Sequence, residues 1–326
     1  MDSMPQPIDN EELEHVLKKW TSTPFGRKAF LAAVPTLMAA CVSGDRNREG
    51  DNTGQDSALT VDQEKELTRA VLPELEKDFP RMQNGAVQGY INNVGQKIVA
   101  RNGLARNPYT YTFRVVEAPY PNAFALPAGT VFVTRPLVAM AETEAELAGV
   151  LGHEIGHIKA RHTAERMQEE KDDWLYTGIG ALIGALLGYG IGRSACPKGD
   201  SDCVTSATLI GTGLGAGAGY LISKYAFFAN SQEDEMEADR VAFRTAVNTG
   251  YHKDYVGKFY EKLYQIESGG DDDSELFSKL NDAMTTHPPA EERVKQMHEL
   301  ASSVGGAGNG VVSTPYFDNI RKACDA

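Results

Sequence analysis

The feature that most constrains this chain is the pattern H-E-x-x-H at residues 153–157, made by His153, Glu154 and His157. Apolar residues recur at helical spacing through this stretch, so we expect it to form a helix. Residues four apart lie about one turn apart on one helix face, so the two imidazoles can bind one metal ion. Two histidines, a third protein ligand and an open position suit zinc, and Glu154 can take a proton from the attacking water. The alternative is a helix that carries these three residues by chance.

A further histidine follows this pattern. His162 is five positions after His157, roughly 140° further round a helix, and cannot share the metal face unless the helix breaks. The metzincin pattern would require glycine at 160 and histidine at 163, whereas the chain has Ala160 and Thr163, so that class is excluded. We expect His162 to be exposed or to contact a metal ligand from outside the metal site.

Composition sets the class of protein and excludes some partners. The chain has 326 residues, 41% of them hydrophobic, and a net charge of −13. This length and hydrophobic content allow one large domain or two small ones with a substantial core. The acidic balance argues against nucleic acid, and against an anionic membrane surface, as the main partner.

Residues 1–41 have the organisation of an export signal. The basic pair Arg27 and Lys28 precedes an apolar run at 29–40, which is too short to span a bilayer and ends at Cys41. The end of this run resembles a bacterial lipobox, so Cys41 is the expected lipidation site. The sequence G-R-K-A-F-L also resembles a weakened twin-arginine signal, which leaves the twin-arginine and general export routes open. The alternative is a buried amphipathic helix with a core cysteine.

Export of this kind places the protein in the bacterial periplasm, with a lipid anchor on Cys41 that holds it to a membrane. Residues 42–60 are rich in Gly, Ser, Asp and Asn, which predicts a flexible tether. The catalytic domain then spans residues 61–300, and residues 301–326 form a tail of unknown role.

Two strand-like segments flank a turn-rich connection. Residues 109–117 and 129–134 are rich in Thr, Val, Phe and Tyr, which predicts strands. Between them, Pro and Gly surround a short apolar stretch that can form a strand edge beside the zinc cleft. Such an edge can bind an extended peptide by strand addition, so Asn122, Ala123 and Phe124 are predicted to bind substrate. The alternative is a hairpin loop without contact to substrate.

Four motifs, taken in order, resemble the HtpX/BepA-type zinc metallopeptidases, peptidase family M forty-eight. They are N-A-F-A-L-P-A-G at 122–129, E-L-A-G-V-L-G-H-E-I-G-H at 146–157, E-M-E-A-D at 235–239, and T-H-P-P at 286–289 followed by Arg293. The resemblance covers about residues 61–300 and departs at Ala128, where many members have glycine. It implies an α+β, mainly helical, gluzincin-type fold with a small β-sheet and an active-site H-E-x-x-H helix, one zinc ion and endopeptidase activity.

Glu233, Glu235 and Glu237 compete for the role of third metal ligand on one predicted helix at 230–247. Residues two apart differ by roughly 200° on a helix, so Glu235 faces away from the other two. Asp239 shares the face of Glu235, where it can accept a hydrogen bond from the free ring nitrogen of a zinc-bound histidine. The family pattern E-x-x-A-D points to the same residue. We therefore predict that Glu235 is the ligand and that Asp239 orients a ligand histidine.

Two uncharged, glycine-rich segments predict a helical hairpin at 174–223. Glycines spaced by four in each segment allow close helix approach, and we expect a packed or peripheral pair. Each segment is also just long enough to cross a bilayer, so a membrane hairpin is the alternative. Cys196 and Cys203 flank the polar link, and in an oxidising compartment they can form a disulfide, whereas a reducing one would leave two free thiols.

The last motif supplies two more candidates, and it completes the functional prediction. His287 and Arg293 are expected to contact the active site, because this segment borders the cleft in the family; a cap or core histidine is the alternative. The resemblance implies a Zn²⁺-dependent endopeptidase that hydrolyses misfolded or misassembled cell-envelope proteins. The alternative function is a chaperone-like metal-binding envelope protein with little proteolytic activity, against which the intact Glu154 argues.

Overall fold

The computed structural model describes residues 49–53, 55, 57, 59–106, 108–169, 230–268, 287, 290–305 and 309–325. The predicted export signal with Cys41, the glycine-rich hairpin at 174–223 and the Cys196–Cys203 disulfide lie outside the described residues. Among the described helices, none combines the length and the apolar character needed to cross a membrane.

Helices surround a small sheet, which confirms the predicted α+β, mainly helical fold class. In chain order the elements are α1 (Val61–Asp78), α2 (Gly85–Arg101), β1 (Thr112–Val116), β2 (Ala123–Ala125), β3 (Thr130–Thr134), α3 (Arg135–Met140), α4 (Glu144–Ala160), α5 (His162–Glu169), α6 (Gln232–Thr249), α7 (Lys258–Ser268), α8 (Glu291–Ser303) and α9 (Pro315–Asp325).

The sheet has the order β1-β3-β2, with β1 parallel and β2 antiparallel to β3. The turn-rich connection therefore contains an edge strand, one of the two forms that the sequence left open. Between β2 and β3, Ala128 adopts the left-handed region at φ 69°. Glycine adopts this region without a steric penalty, so alanine is costlier than glycine at this position.

Two glycines on α4 let this helix approach α6 closely. A Cβ atom on Gly156 would lie 2.9 Å from the Cα and carbonyl oxygen of Ala238, and one on Gly152 would lie 3.0 Å from the Cα of Ala242. Real Cβ atoms are almost never so close to backbone, so a side chain at either position would push the helices apart. The close packing brings the H-E-x-x-H face of α4 against the acidic face of α6.

Part of the segment predicted to be a flexible tether is described by the structure, and it contacts the end of α4. The side-chain amide of Asn52 donates to the carbonyl oxygen of Lys159 at 2.9 Å, and that of Gln55 donates to the carbonyl oxygen of Ala160 at 2.7 Å. The last carbonyls of a helix have no partners within the helix, so polar side chains are needed there. The polar composition that predicted flexibility therefore serves to cap the C-terminal end of α4.

The domain also extends beyond the predicted boundary at residue 300. Helix α9 buries Phe317, Ile320 and Cys324 in the same core as α2, because these apolar side chains recur at helical spacing. The segment before α9 fixes the start of α4, where the Thr314 hydroxyl donates to Glu144 at 2.6 Å. Residues that we predicted to be a tail are therefore part of the domain core.

Candidate active site

Four buried side chains from separate parts of the chain converge on one point. His153 and His157 come from α4, Glu235 comes from α6, and His287 precedes α8. One ligand atom from each lies within 4.8 Å of the others. The two Nε2 atoms of α4 are 2.9 Å apart, and each lies 3.2 Å from an oxygen of Glu235. Three imidazoles and a carboxylate are the donor types that zinc binds.

The first histidine is oriented by the residue predicted for that role. Asp239 accepts a hydrogen bond from Nδ1 of His153 at 2.8 Å, and a carboxylate can only accept. Nδ1 therefore carries hydrogen, and in the neutral ring Nε2 has the lone pair that a metal ion would bind. Arg293, which is 1% exposed, donates to both oxygens of Asp239 at 2.7 and 2.8 Å and pairs with Glu235 at 2.7 Å. Arg293 thus lies behind the cluster and fixes both carboxylates.

The charges around this cluster favour ionised carboxylates and a bound cation. Burial alone would raise the pKa of Glu235 and of Asp239, but Arg293 and the neighbouring histidines together outweigh it and hold both pKa values below their usual range. Burial would lower the pKa of His153, yet the negative charges of Glu235 and Asp239 raise it to about 9. The same negative charge that attracts a proton to this ring attracts a metal cation.

His287 supplies the fourth donor. Its Nε2 donates to the main-chain carbonyl of Ala123 at 3.1 Å, which leaves Nδ1 with a lone pair. That Nδ1 atom is 3.2 Å from Nε2 of His153 and 3.2 Å from an oxygen of Glu235. Bonds of about 2.0–2.1 Å to a tetrahedral zinc would separate neighbouring donors by about 3.3 Å, close to these spacings. The residues therefore fit a zinc ion held by three nitrogens and one oxygen.

Glu154 lies beside this donor set without belonging to it. Its Oε1 atom is buried and makes no hydrogen bond to the part of the chain that the structure describes, although Nε2 of His287 is 3.4 Å away. Burial raises the pKa of Glu154. An acceptor oxygen of raised basicity, adjacent to this cluster of donors, is what a general base requires.

The three competing glutamates have three different environments. Glu235 is in the donor cluster, whereas Glu233 is exposed to solvent. Glu237 is buried but points elsewhere, with its oxygens near Nε2 of His162 and the main-chain N–H of Gly50. His162 is itself fully buried against His157, so of the two expected positions it takes the one behind a metal ligand.

The predicted substrate segment lines the site through its main chain. Asn122 and Phe124 are buried, and the Phe124 ring stacks on Phe132 at 4.9 Å, so the Phe124 side chain belongs to the core. Main-chain groups of Asn122 and Phe124 face β3, as the Thr134 N–H bond to Asn122 shows. Neighbouring residues alternate along a strand, so the main-chain groups of Ala123 face the other edge of β2. Among the described residues no strand pairs with this edge, which lies beside His287.

Two residues near the cluster were not singled out from the sequence. The Tyr260 ring on α7 lies 4.8 Å from the His153 ring and 4.6 Å from the Arg293 guanidinium, and it closes one side of the site. Asn230, the first residue of the helix predicted at 230–247, places its amide nitrogen 3.3 Å from Nε2 of His157. No motif marks either residue; only the packing of α7 and the start of α6 brings them to the site.

Comparison with known families decides the class. The sequence profile described as Peptidase family M48 matches residues 86–301, which is most of the chain. The chain belongs to peptidase family M48. This confirms the resemblance drawn from the four motifs, and it identifies the α4–α6 cluster as part of a metallopeptidase domain.

The relatives carry names consistent with this class. The chain is 26% identical to the beta-barrel assembly-enhancing protease of Escherichia coli (strain K12) over 252 residues, 77% of this chain and 46% of that one. It is 29% identical to the putative beta-barrel assembly-enhancing protease of Vibrio cholerae over 269 residues, 82% of this chain and 50% of that one. It is 31% identical to mitochondrial metalloendopeptidase OMA1 of Arabidopsis thaliana over 181 residues, 56% of this chain and 30% of that one. The chain spans about half the length of these two bacterial relatives.

Proposed function

We propose that this protein is a zinc-dependent endopeptidase that hydrolyses peptide bonds in misfolded or misassembled cell-envelope proteins. The observation that carries the proposal is the buried carboxylate of Glu154 beside a convergent set of three histidines and Glu235. Family membership supports the peptidase class, and the name of the bacterial relatives, which refers to β-barrel assembly, supports an envelope substrate. Elemental analysis of the purified protein, together with an assay of unfolded-protein cleavage, tests the proposal.

The roles of the residues follow from their positions. His153, His157 and Glu235 hold the zinc, which when bound polarises the scissile carbonyl and lowers the pKa of the attacking water. Glu154 accepts the proton of that water on its unpartnered oxygen and delivers it to the leaving amine. Asp239 and Arg293 keep His153 and Glu235 oriented while this happens.

The open edge of β2 is the proposed binding site for the substrate backbone. An extended peptide that pairs with this edge would meet the main-chain groups of Ala123, on the side of the strand that faces the cluster. Main-chain pairing is tolerant of sequence, which suits an enzyme that acts on unfolded proteins. His287 already bonds to the Ala123 carbonyl, so substrate and His287 compete for the same group.

His287→Ala is expected to raise the rate of cleavage. A catalytic zinc site has three protein ligands and an open position, and His287 would offer a bound zinc a fourth donor. Its removal leaves three ligands, so the variant should retain about one zinc per chain while accepting water and substrate more readily. Release of labelled peptides from unfolded casein measures the rate, with the exposed His298→Ala as the matched control. A slower rate at full zinc occupancy would contradict this arrangement.

The closed donor set also favours the second candidate function. A chaperone-like protein that binds metal but seldom cleaves would keep all four donors in place, as a structural zinc site does. The two functions separate in the same assay: if wild type and His287→Ala both bind zinc and both leave unfolded casein intact, the chaperone-like function is favoured.

The proposed location is the periplasm, with a lipid on Cys41. It is supported by the signal-like organisation of residues 1–41 and by the envelope-related name of the bacterial relatives. Cys41→Ser is expected to move the protein from the membrane to the soluble fraction, because one acyl-modified cysteine would provide the attachment. If the variant stays in the membrane after a carbonate wash, the attachment lies elsewhere, with the glycine-rich segments the first candidate.

A further inference from the structure

His162 contacts His157 because the helix breaks at Arg161, between these two histidines. Arg161 ends α4 in the left-handed region at φ 58°, and α5 begins at His162. The break turns the His162 ring back onto α4, where its Nδ1 lies 2.8 Å from Nδ1 of His157. Two ring nitrogens at this distance share one hydrogen, so one of them is the donor and the other the acceptor.

The carboxylates behind His162 decide which nitrogen donates. Nε2 of His162 lies 3.3 Å from Oε2 of Glu237 and 3.7 Å from Oδ1 of Asp234. A carboxylate accepts, so Nε2 of His162 carries hydrogen and its Nδ1 is the acceptor. Nδ1 of His157 is therefore the donor, and its Nε2 presents a lone pair to the metal position. The amide nitrogen of Asn230, a donor, lies 3.3 Å from that same Nε2.

Glu237 is fixed from the other side by the N-terminal segment. Its Oε1 accepts a hydrogen bond from the main-chain N–H of Gly50 at 2.7 Å, and the residue is fully buried. Gly50 has φ 75°, and a Cβ atom there would lie 2.7 Å from the side chain of Lys159. The position therefore favours glycine, and it places a backbone donor directly on the carboxylate.

We propose that His162 and Glu237 are positioning residues for His157, and that the N–H of Gly50 holds Glu237 in place. His162 accepts a hydrogen bond from His157 as Asp239 does from His153. Glu237 holds His162 as Arg293 holds Asp239. Neither residue touches the reacting atoms. The inference rests on the proposed zinc site, and it makes a segment predicted to be a tether part of the metal centre.

The test measures zinc affinity, not only activity. Full-length protein is stripped of metal, and the zinc Kd is determined by competition with a chromophoric chelator for wild type, His162→Leu, His162→Asn and Glu237→Gln. We expect His162→Leu to weaken binding by roughly 10–100-fold, the usual effect of losing such a partner. His162→Asn, whose amide oxygen can replace Nδ1 as acceptor, should recover most of the affinity. Glu233→Gln, an exposed acid on the same helix, is the matched control and should not change the Kd.

Two readouts separate positioning from simple loss of stability. The visible spectrum of the Co²⁺-substituted protein reports ligand geometry and should change in His162→Leu but not in Glu233→Gln. Glu237→Gln should weaken zinc binding in the wild-type background and add almost nothing in the His162→Leu background, because it acts through the His162 ring. Additive losses with an unchanged spectrum would show a structural role and overturn the proposal.

The outcomes also distinguish this inference from the proposed function. If wild type binds no zinc, the proposed function fails. If wild type binds about one zinc per chain but His162→Leu and Glu237→Gln bind it equally tightly, only the positioning inference fails. If His162→Leu does not fold, as judged by circular dichroism, the Asn variant and Glu237→Gln decide: affinity lost in Glu237→Gln and retained in His162→Asn supports the pair, and unchanged affinity in both overturns it.

Discussion

Glu154→Gln is expected to retain its zinc and to lose cleavage of unfolded protein. Glutamine has nearly the same shape, and Glu154 is not among the four converging donors, so the metal site should stay intact. The amide cannot accept the proton of the attacking water, and loss of general base catalysis typically lowers the rate by about 10²–10⁴-fold. The Oε1 atom of Glu154, which is buried and has no hydrogen bond from the described residues, is the acceptor proposed for that proton.

The measurement is kcat/KM on a labelled unfolded protein, paired with elemental analysis of the same preparation. Glu299→Gln removes the same charge at an exposed position on α8 and should cleave as wild type does. Wild-type activity in Glu154→Gln would remove Glu154 from the mechanism and leave the donor cluster without its proposed base.

The sequence alone was sufficient wherever the chemistry follows helical spacing. His153 and His157 share a face because they are four residues apart, and Asp239 lies behind Glu235 for the same reason. The structure brings these four residues together as that spacing requires. The face that each of them occupies depends only on a continuous helix, and both helices are continuous over these residues.

Helical spacing did not predict the positions of residues that depend on a helix break or on long-range contacts. The rotation argument placed His162 away from His157, and Arg161 in the left-handed region reverses that. His287 lies 52 residues beyond Glu235, and no periodicity connects the two. Asn52 and Gln55 were predicted to belong to a polar linker. Their side-chain amides bond to main-chain carbonyls at the end of α4, and composition alone does not predict such contacts.

The edge strand is an intermediate case. Pro and Gly around residues 122–124 predicted a turn, and the apolar centre predicted an edge strand. Only the observed pairing with β3 distinguishes the edge strand from a hairpin loop. Pairing of Phe124 with Phe132 fixes which main-chain groups remain for a substrate. Strand pairing is set by contacts between segments, so register is less readable from one segment than helix phase is.

Glu235→Ala is expected to lose both zinc and cleavage, while Glu233→Ala keeps both. Glu235 supplies the one oxygen among the converging donors, with oxygens 3.2 Å from Nε2 of His153 and of His157. Removing a ligand should weaken zinc binding by more than the roughly 10–100-fold expected for a residue that only orients one. Arg293 remains bonded to Asp239 through two nitrogens in the variant, so the core behind the site keeps its main ion pair.

Chelator competition gives the zinc Kd of each variant, and the melting temperature of the metal-free protein shows whether the fold survives. Glu235→Gln, which keeps the packing volume but replaces the anionic ligand, separates lost coordination from a cavity. Glu237→Ala should fall between Glu233→Ala and Glu235→Ala, because its carboxylate acts on His157 only through His162. Full zinc occupancy in Glu235→Ala, with loss in Glu233→Ala, would place the ligand on the opposite face of α6 and exclude the geometry described for this site.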